Sequence, residues 1–107
     1  MKRRILRRPR AIDDLTQQTA YYLEQAGEEI AAHFLRAAEE TLEQLLDLPR
    51  SGASRTYLNP SLEGLRMFPV RGFERHVLFY RPTPEGLELI RVLHDARDLK
   101  TILEEEL

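Results

Sequence analysis

The chain has 107 residues, a size that corresponds to one domain with one modest core. Its 42% hydrophobic content argues against general disorder, and the absence of cysteine excludes disulfides, thiolate catalysis and cysteine-based zinc sites. No stretch reaches the roughly 18 apolar residues that a membrane span needs, and the basic N-terminus lacks the apolar segment of a secretory signal. We therefore expect a cytoplasmic protein, one domain over residues 1–107, with no membrane contact, no metal and no cofactor.

The net charge of −2 conceals an uneven distribution of charged residues. Residues 1–10 carry six basic residues and no acid, residues 27–48 carry six acids and one arginine, and residues 64–81 carry four arginines and one glutamate. The basic region near the C-terminus could bind an acidic partner or nucleic acid, whereas solvated surface charge is the simpler interpretation.

The first element is predicted to be an edge strand over residues 2–8. Its arginines and the Pro9 that follows discourage pairing with foreign strands, as is typical of strands at the edge of a sheet. Residues 10–26 predict a helix, because side chains of one stripe recur at three- and four-residue spacing: Ile12, Leu15, Thr19, Tyr22, Leu23 and Ala26. Asp13 and Asp14 are expected in its first turn, where the helix dipole favours acids.

A second helix is predicted over residues 28–48, and the tight connection at Gly27 makes the two helices an antiparallel hairpin. Two neighbouring apolar stripes run along it, one formed by Ile30, Phe34, Ala37, Thr41, Leu45 and Leu48, the other by Ala31, Leu35, Leu42 and Leu46. So wide an apolar face predicts contact with both the first helix and a sheet. We expect five side chains of the hairpin to be buried there: Leu15, Tyr22, Phe34, Leu42 and Leu45.

Turn-rich residues 49–63 predict a long loop before three strands. The strands are expected over residues 64–70, 75–81 and 87–94, and the short connections between them make them antiparallel. The fold predicted is α+β, in which an N-terminal edge strand precedes an antiparallel two-helix hairpin packed on a small antiparallel β-sheet. A short C-terminal helix is expected over residues 95–107.

Arginines and histidines are the side chains that could carry chemistry. His94 closes the last predicted strand, so it could act as a general acid or base near neutral pH, or it could fix the turn that follows; the structural role is our preferred interpretation. His33 and His76 are interpreted as surface or boundary residues. Arginine suits phosphate or carboxylate partners, and Arg66 and Arg75 on neighbouring predicted strands could face one site or lie on a solvated face.

The order of short motifs in the C-terminal half resembles the strand core of the ParE branch of the RelE/ParE toxin superfamily. These motifs are Gly64-Leu65-Arg66, Phe68-Pro69-Val70, Phe79-Tyr80-Arg81, Arg91-Val92-Leu93-His94 and Arg97-Asp98. The resemblance implies the strand–helix–helix–three-strand fold predicted above. It also implies the toxin of a type II toxin–antitoxin (plasmid stabilisation) system, whose cognate ParD-like antitoxin wraps and silences it.

Two mechanisms occur in this superfamily, since RelE-like members cleave mRNA on the ribosome and ParE-like members poison DNA gyrase by binding. Arg66, Arg81 and His94 lie near the positions where the nuclease branch keeps active groups. The chain has no lysine between Lys2 and Lys100, so the lysine cluster typical of RelE is missing. The resemblance therefore implies a non-enzymatic gyrase inhibitor without direct nucleic-acid binding.

Two alternatives remain open at the level of the sequence. One is a ribosome-dependent mRNA endoribonuclease with Arg66, Arg81 and His94 as its catalytic residues, and the other is a non-toxic binding module of the same fold. For the gyrase inhibitor, we expect the antitoxin across the arginine-bearing strands or in the groove of the helical hairpin. The expected partner-binding residues are Arg66, Phe68, Arg75, Arg81 and Arg97.

Overall fold

A computed structural model of the chain describes residues 3–54 and 60–94. The elements follow one another as β1 (Arg4–Arg7), α1 (Pro9–Ala26), α2 (Glu28–Asp47), β2 (Ala53–Ser54), a 3-10 helix (Pro60–Leu62), β3 (Arg66–Val70), β4 (Phe73–Thr83) and β5 (Gly86–His94). The helix predicted over residues 95–107 and the expected binding residue Arg97 lie outside the described residues.

The helical hairpin begins and turns at residues with fixed backbone preferences. Pro9 starts α1, because its missing N–H costs no hydrogen bond in the first turn of a helix. This start places Asp13 and Asp14 beyond the first turn, so the prediction that they lie in it is wrong. Gly27 joins the helices with a φ of 96°, a backbone conformation that favours glycine.

The strands form one five-stranded sheet in the order β1-β5-β4-β3-β2. The β3–β4 and β4–β5 pairs are antiparallel as predicted, and β1 is an edge strand as predicted. β1 pairs with β5 in parallel, so the sheet is mixed rather than wholly antiparallel. After β1 the chain runs through α1 and α2 and re-enters the sheet at the opposite edge, at β2. The strands then follow back across the sheet until β5 lies beside β1, where the two run parallel.

The turn between β4 and β5 is tighter than the sequence suggests. The predicted strand ends at residue 81, but Pro82 and Thr83 extend β4 and pair with Leu87 and Gly86 of β5. On its other side β4 pairs with β3 only as far as Tyr80. The missing N–H of Pro82 therefore removes no hydrogen bond of the β3–β4 ladder.

The hairpin packs on one face of the sheet and forms the main core with it. Four of the five predicted core residues are buried, namely Leu15, Phe34, Leu42 and Leu45, and Tyr22 is partly buried. A second cluster contains Leu62, Leu65, Phe79, Ile90 and Leu93. Because side chains alternate along a strand, Leu78 and Tyr80 of β4 join the main core while Phe79 joins the second cluster.

Part of each predicted apolar stripe remains in contact with solvent. Four large apolar side chains of the hairpin are between 40 and 51% exposed, namely Ile12, Leu23, Ile30 and Leu35. The apolar surface of the hairpin is therefore wider than the sheet can cover. Among the described residues no helix combines the length and apolar character required to cross a membrane.

Candidate functional site

An apolar depression on the helical hairpin is the first candidate binding surface. It has a volume of about 250 Å³ and is lined by Arg7, Ile12, Leu15, Thr16, Thr19 and Leu35. Ile12 and Leu35 form exposed walls, and Arg7 donates a 2.6 Å hydrogen bond to Glu39 on α2. We call this surface the hairpin groove. Its apolar lining and charged border suit the apolar face of an amphipathic peptide.

Arg66 binds the protein's own backbone. Its Nη1 donates to the carbonyl oxygens of Arg50, at 3.0 Å, and Gly52, at 2.8 Å. Beside it, the Tyr80 hydroxyl donates to the carbonyl oxygen of Pro49 at 2.6 Å and accepts the Gly52 N–H at 2.9 Å. Burial raises the pKa of Tyr80 above its ordinary value, so the hydroxyl keeps the proton that it donates.

The three residues expected in a nuclease site do not converge. Arg66 lies opposite Tyr80, Arg81 opposite Glu88, and His94 opposite His76. Cross-strand partners share a face of the sheet and sequence neighbours alternate, so Arg66 and Arg81 project from opposite faces. His76 lies four positions before Tyr80 in β4, which places His94 roughly 13 Å along the sheet from Arg66 at about 3.3 Å per residue.

The other expected binding residues are also dispersed. Arg75 is exposed near the start of β4, five positions before Tyr80, which places it roughly 16 Å along the sheet from Arg66 at about 3.3 Å per residue. Phe68 packs against the main core, and the guanidinium carbon of Arg71 lies 5.3 Å from the centre of its ring.

A polar network that the sequence did not reveal joins α1 to β5. The Asp14 carboxylate accepts hydrogen bonds from Nε of Arg91 at 2.7 Å, from its Nη2 at 3.0 Å, and from the Val92 N–H at 3.0 Å. One turn later, the side-chain amide of Gln18 donates to the Val92 carbonyl oxygen at 2.8 Å. Asp14 and Gln18 thus provide hydrogen-bond partners for the backbone N–H and carbonyl of Val92, in the part of β5 that β1 does not reach. The four-residue spacing of Asp14 and Gln18 was visible in the sequence, but their partners depend on the tertiary fold.

His76 is a buried member of this network rather than a boundary residue, so that prediction is wrong. Its Nδ1 lies 2.9 Å from the side-chain oxygen of Gln18, and its Nε2 lies 2.8 Å from the Tyr22 hydroxyl. Because the Gln18 amide nitrogen is committed to Val92, the Gln18 oxygen accepts from Nδ1 of His76, and in the neutral imidazole Nε2 then accepts the Tyr22 O–H.

His94 packs its ring against His76, with ring centres 5.1 Å apart. The two histidines border a cleft of about 430 Å³, whose other lining residues are Asp14, Gln17, Gln18, Tyr21, Tyr22, Val92 and Leu93. The polar atoms of Asp14, Gln18 and Tyr22 in this cleft are engaged with the protein itself. In the described part of the chain, no three His, Cys, Asp or Glu side chains are arranged to hold a metal ion.

Comparison with protein-family models matches residues 5–99 to the ParE toxin of the type II toxin–antitoxin system parDE. This chain belongs to the ParE toxin family. The resemblance drawn from the strand motifs is therefore confirmed, and the toxin–antitoxin context applies to the chain as a family member. Comparison with curated protein sequences finds no match.

The fold of this ParE family member also occurs in solved structures. A chain described as "Chromosomal ParDE TA system from P. aeruginosa" superposes with a TM-score of 0.69 and 18% sequence identity, over 86% of this chain and 95% of that chain. This similarity confirms the predicted arrangement of an N-terminal strand, two helices and a sheet rich in antiparallel strands.

Proposed function

We propose that this ParE family member is a toxin that inhibits DNA gyrase by protein–protein contact in the bacterial cytoplasm, within one toxin domain over residues 1–107. The dispersion of Arg66, Arg81 and His94 is the observation that carries the proposal. Cleavage of RNA requires cationic groups around one phosphate together with an acid or base in hydrogen-bonding reach. Here Arg66 and Arg81 point to opposite faces, and Arg66 is engaged with the carbonyl oxygens of Arg50 and Gly52.

The cognate ParD-like antitoxin binds, in this proposal, along the hairpin groove. Ile12 is 49% exposed and Leu35 is 42% exposed, and both line the same depression as the buried Leu15. Adjacent exposed apolar side chains of this size on a small protein are typical of a surface that a partner covers. An amphipathic antitoxin segment would bury them and would place its charged side chains near Arg7 and Glu39.

The test separates a gyrase inhibitor from a nuclease and from an inactive module. The protein is expressed in a bacterial host with and without the antitoxin encoded beside it, and the purified toxin is added to gyrase in a supercoiling assay. We expect growth arrest that the antitoxin relieves, loss of supercoiling activity, and unchanged mRNA ends. Codon-phased mRNA cleavage with normal supercoiling would replace the proposal by the nuclease, and the absence of any effect would replace it by the non-toxic module.

A further inference from the structure

The segment that follows α2 is held by hydrogen bonds within itself and to side chains of β3 and β4. In residues 48–52, which we call the anchored loop, the carbonyl oxygens of four residues accept hydrogen bonds. The Leu48 carbonyl accepts from the N–H of Ser51 at 3.0 Å and from its hydroxyl at 2.7 Å. The Pro49 carbonyl accepts from Tyr80, and the carbonyls of Arg50 and Gly52 accept from Arg66.

Gly52 shows how closely this loop fits the sheet. A Cβ atom at this position would lie 2.4 Å from the Tyr80 hydroxyl oxygen and 2.8 Å from a carbon of its ring. Tyr80 is fully buried, so it cannot move aside cheaply. Only glycine therefore permits the two hydrogen bonds that Tyr80 makes with the loop. The anchored loop is therefore preorganised, because its hydrogen bonds to Tyr80 fix its conformation in the unbound protein.

The anchored loop displays one apolar and one cationic side chain. Leu48 is 68% exposed, more than the other exposed large apolar side chains of the described residues, and Arg50 is exposed two residues later. Residues 48–54 contain no acid, and the preceding Asp47 is ion-paired with Arg3 at 2.6 Å. The guanidinium of Arg66 beneath the loop adds to its positive potential.

We infer that the anchored loop is the surface through which this toxin binds its target, and that the target contributes acidic side chains beside an apolar depression. This inference rests on the proposed function and adds the binding site to it. An exposed leucine next to an arginine suits a protein surface better than a phosphate backbone, since phosphates offer the leucine nothing to contact. Arg50 and Leu48 make the contact, whereas Tyr80 and Arg66 are positioning residues that hold the loop.

The anchored loop is separate from the hairpin groove. Leu48 in the loop lies thirteen positions after Leu35 in the groove, and α2 spans nearly all of this distance, which corresponds to about 20 Å at 1.5 Å per residue. Substitutions in the loop can therefore abolish target binding while the antitoxin still binds, and substitutions in the groove can do the reverse.

Charge reversal at Arg50 tests the inference directly. We expect Arg50→Glu to raise the toxin concentration needed for half-inhibition of supercoiling at least about tenfold, because it opposes an acidic target surface. The same variant should bind antitoxin normally, which shows that it is folded. Arg36→Glu, the same charge change on the exposed surface of α2, is the matched control and should inhibit gyrase normally.

Three results overturn the inference. If wild-type toxin inhibits supercoiling and Arg50→Glu inhibits it equally, the loop is not the contact surface although the proposed function stands. If wild-type toxin has no effect on gyrase, the proposed function fails and the inference falls with it. If Arg50→Glu instead abolishes mRNA cleavage or RNA binding by the wild type, the loop binds nucleic acid and the acidic protein surface is wrong.

The positioning role of Tyr80 has its own readout. Tyr80→Phe keeps the buried ring and removes the hydrogen bonds to Pro49 and Gly52. We expect inhibition to weaken about tenfold, because the released loop must be ordered on binding. The salt dependence of inhibition should stay as in wild type, whereas Arg50→Gln should flatten it. Hydrogen exchange at the Gly52 amide should accelerate in Tyr80→Phe; unchanged inhibition despite a faster exchange would refute the positioning role.

Discussion

Replacement of Asp14 by alanine should destabilise this fold more than any other single loss of a charge on α1. The carboxylate accepts two hydrogen bonds from Arg91 and one from the Val92 N–H, and the side chains of the ion pair are 13% exposed for Asp14 and 7% exposed for Arg91. Asp14→Ala leaves the Arg91 guanidinium in the interior without this carboxylate and leaves the Val92 N–H without its acceptor.

The magnitude follows from the burial of the groups that remain. Removing one partner of a buried ion pair costs about 3–5 kcal/mol, because the other charge stays desolvated. Arg91 makes further contacts, so we place the loss in the free energy of unfolding at the lower end, about 3 kcal/mol. An exposed ion pair contributes only about 0–1 kcal/mol, so the two cases are easily distinguished.

Urea unfolding followed by circular dichroism measures this loss, and Asp13→Ala is the matched control. Asp13 is exposed and adjacent, so its replacement should change the free energy of unfolding by less than about 0.5 kcal/mol. The double variant Asp14→Ala with Arg91→Met should recover part of the loss, because it also removes the desolvated charge. If Asp14→Ala lowers the free energy of unfolding by less than about 1 kcal/mol, the Asp14–Arg91 pair contributes no more than an exposed ion pair and the prediction is wrong.

Three further predictions concern the core, the groove and alkaline pH. Phe34→Ala should lower the free energy of unfolding by about 3–5 kcal/mol, because Phe34 is fully buried between the helices and the sheet. A loss below about 1 kcal/mol, measured by urea unfolding, would contradict this. Leu35→Glu should weaken antitoxin binding at least about tenfold by calorimetry, whereas Leu6→Glu, a change at a similarly exposed leucine on β1, should leave the affinity unchanged. Burial raises the pKa of Tyr80 above the ordinary tyrosine value of 10.0. The stabilisation provided by the protonated hydroxyl is therefore complete below pH 10.0 and is lost as the pH rises above that value. Wild type should therefore lose stability above that pH more steeply than Tyr80→Phe, and equal slopes would show that Tyr80 does not titrate there.

The elements of this fold could be predicted because their signals are local. The stripe through Phe34 and Leu45 has helical spacing, Gly27 permits the turn between the helices, and the strands carry apolar residues bounded by turns. The parallel pairing of β1 with β5 depends on how the whole chain closes, and nothing within residues 2–8 specifies it. The extension of β4 through Pro82 likewise depends on where β3 ends, which lies far away in the sequence.

The candidate site could be predicted only in part, because arginine and histidine take their role from their neighbours. The sequence indicates Arg66 as a binding residue, but in the fold its guanidinium donates hydrogen bonds to the carbonyl oxygens of residues 50 and 52. His76 reads as a boundary residue, yet Gln18 and Tyr22 surround it from a helix more than 50 positions away. No local pattern distinguishes an arginine that binds a partner from one that binds its own loop.

Strand register decides whether Arg66 and Arg81 lie on the same face of this sheet. The sequence motifs that carry Arg66 and Arg81 are the same whichever register the strands adopt. A shift of β4 by one residue relative to β3 would exchange the faces on which its side chains lie and would bring Arg81 opposite Arg66. The Tyr80 hydroxyl opposes such a shift, because it would leave the Pro49 carbonyl and the Gly52 N–H and enter the opposite face. The tyrosine that anchors the loop therefore also keeps Arg66 and Arg81 on opposite faces of the sheet.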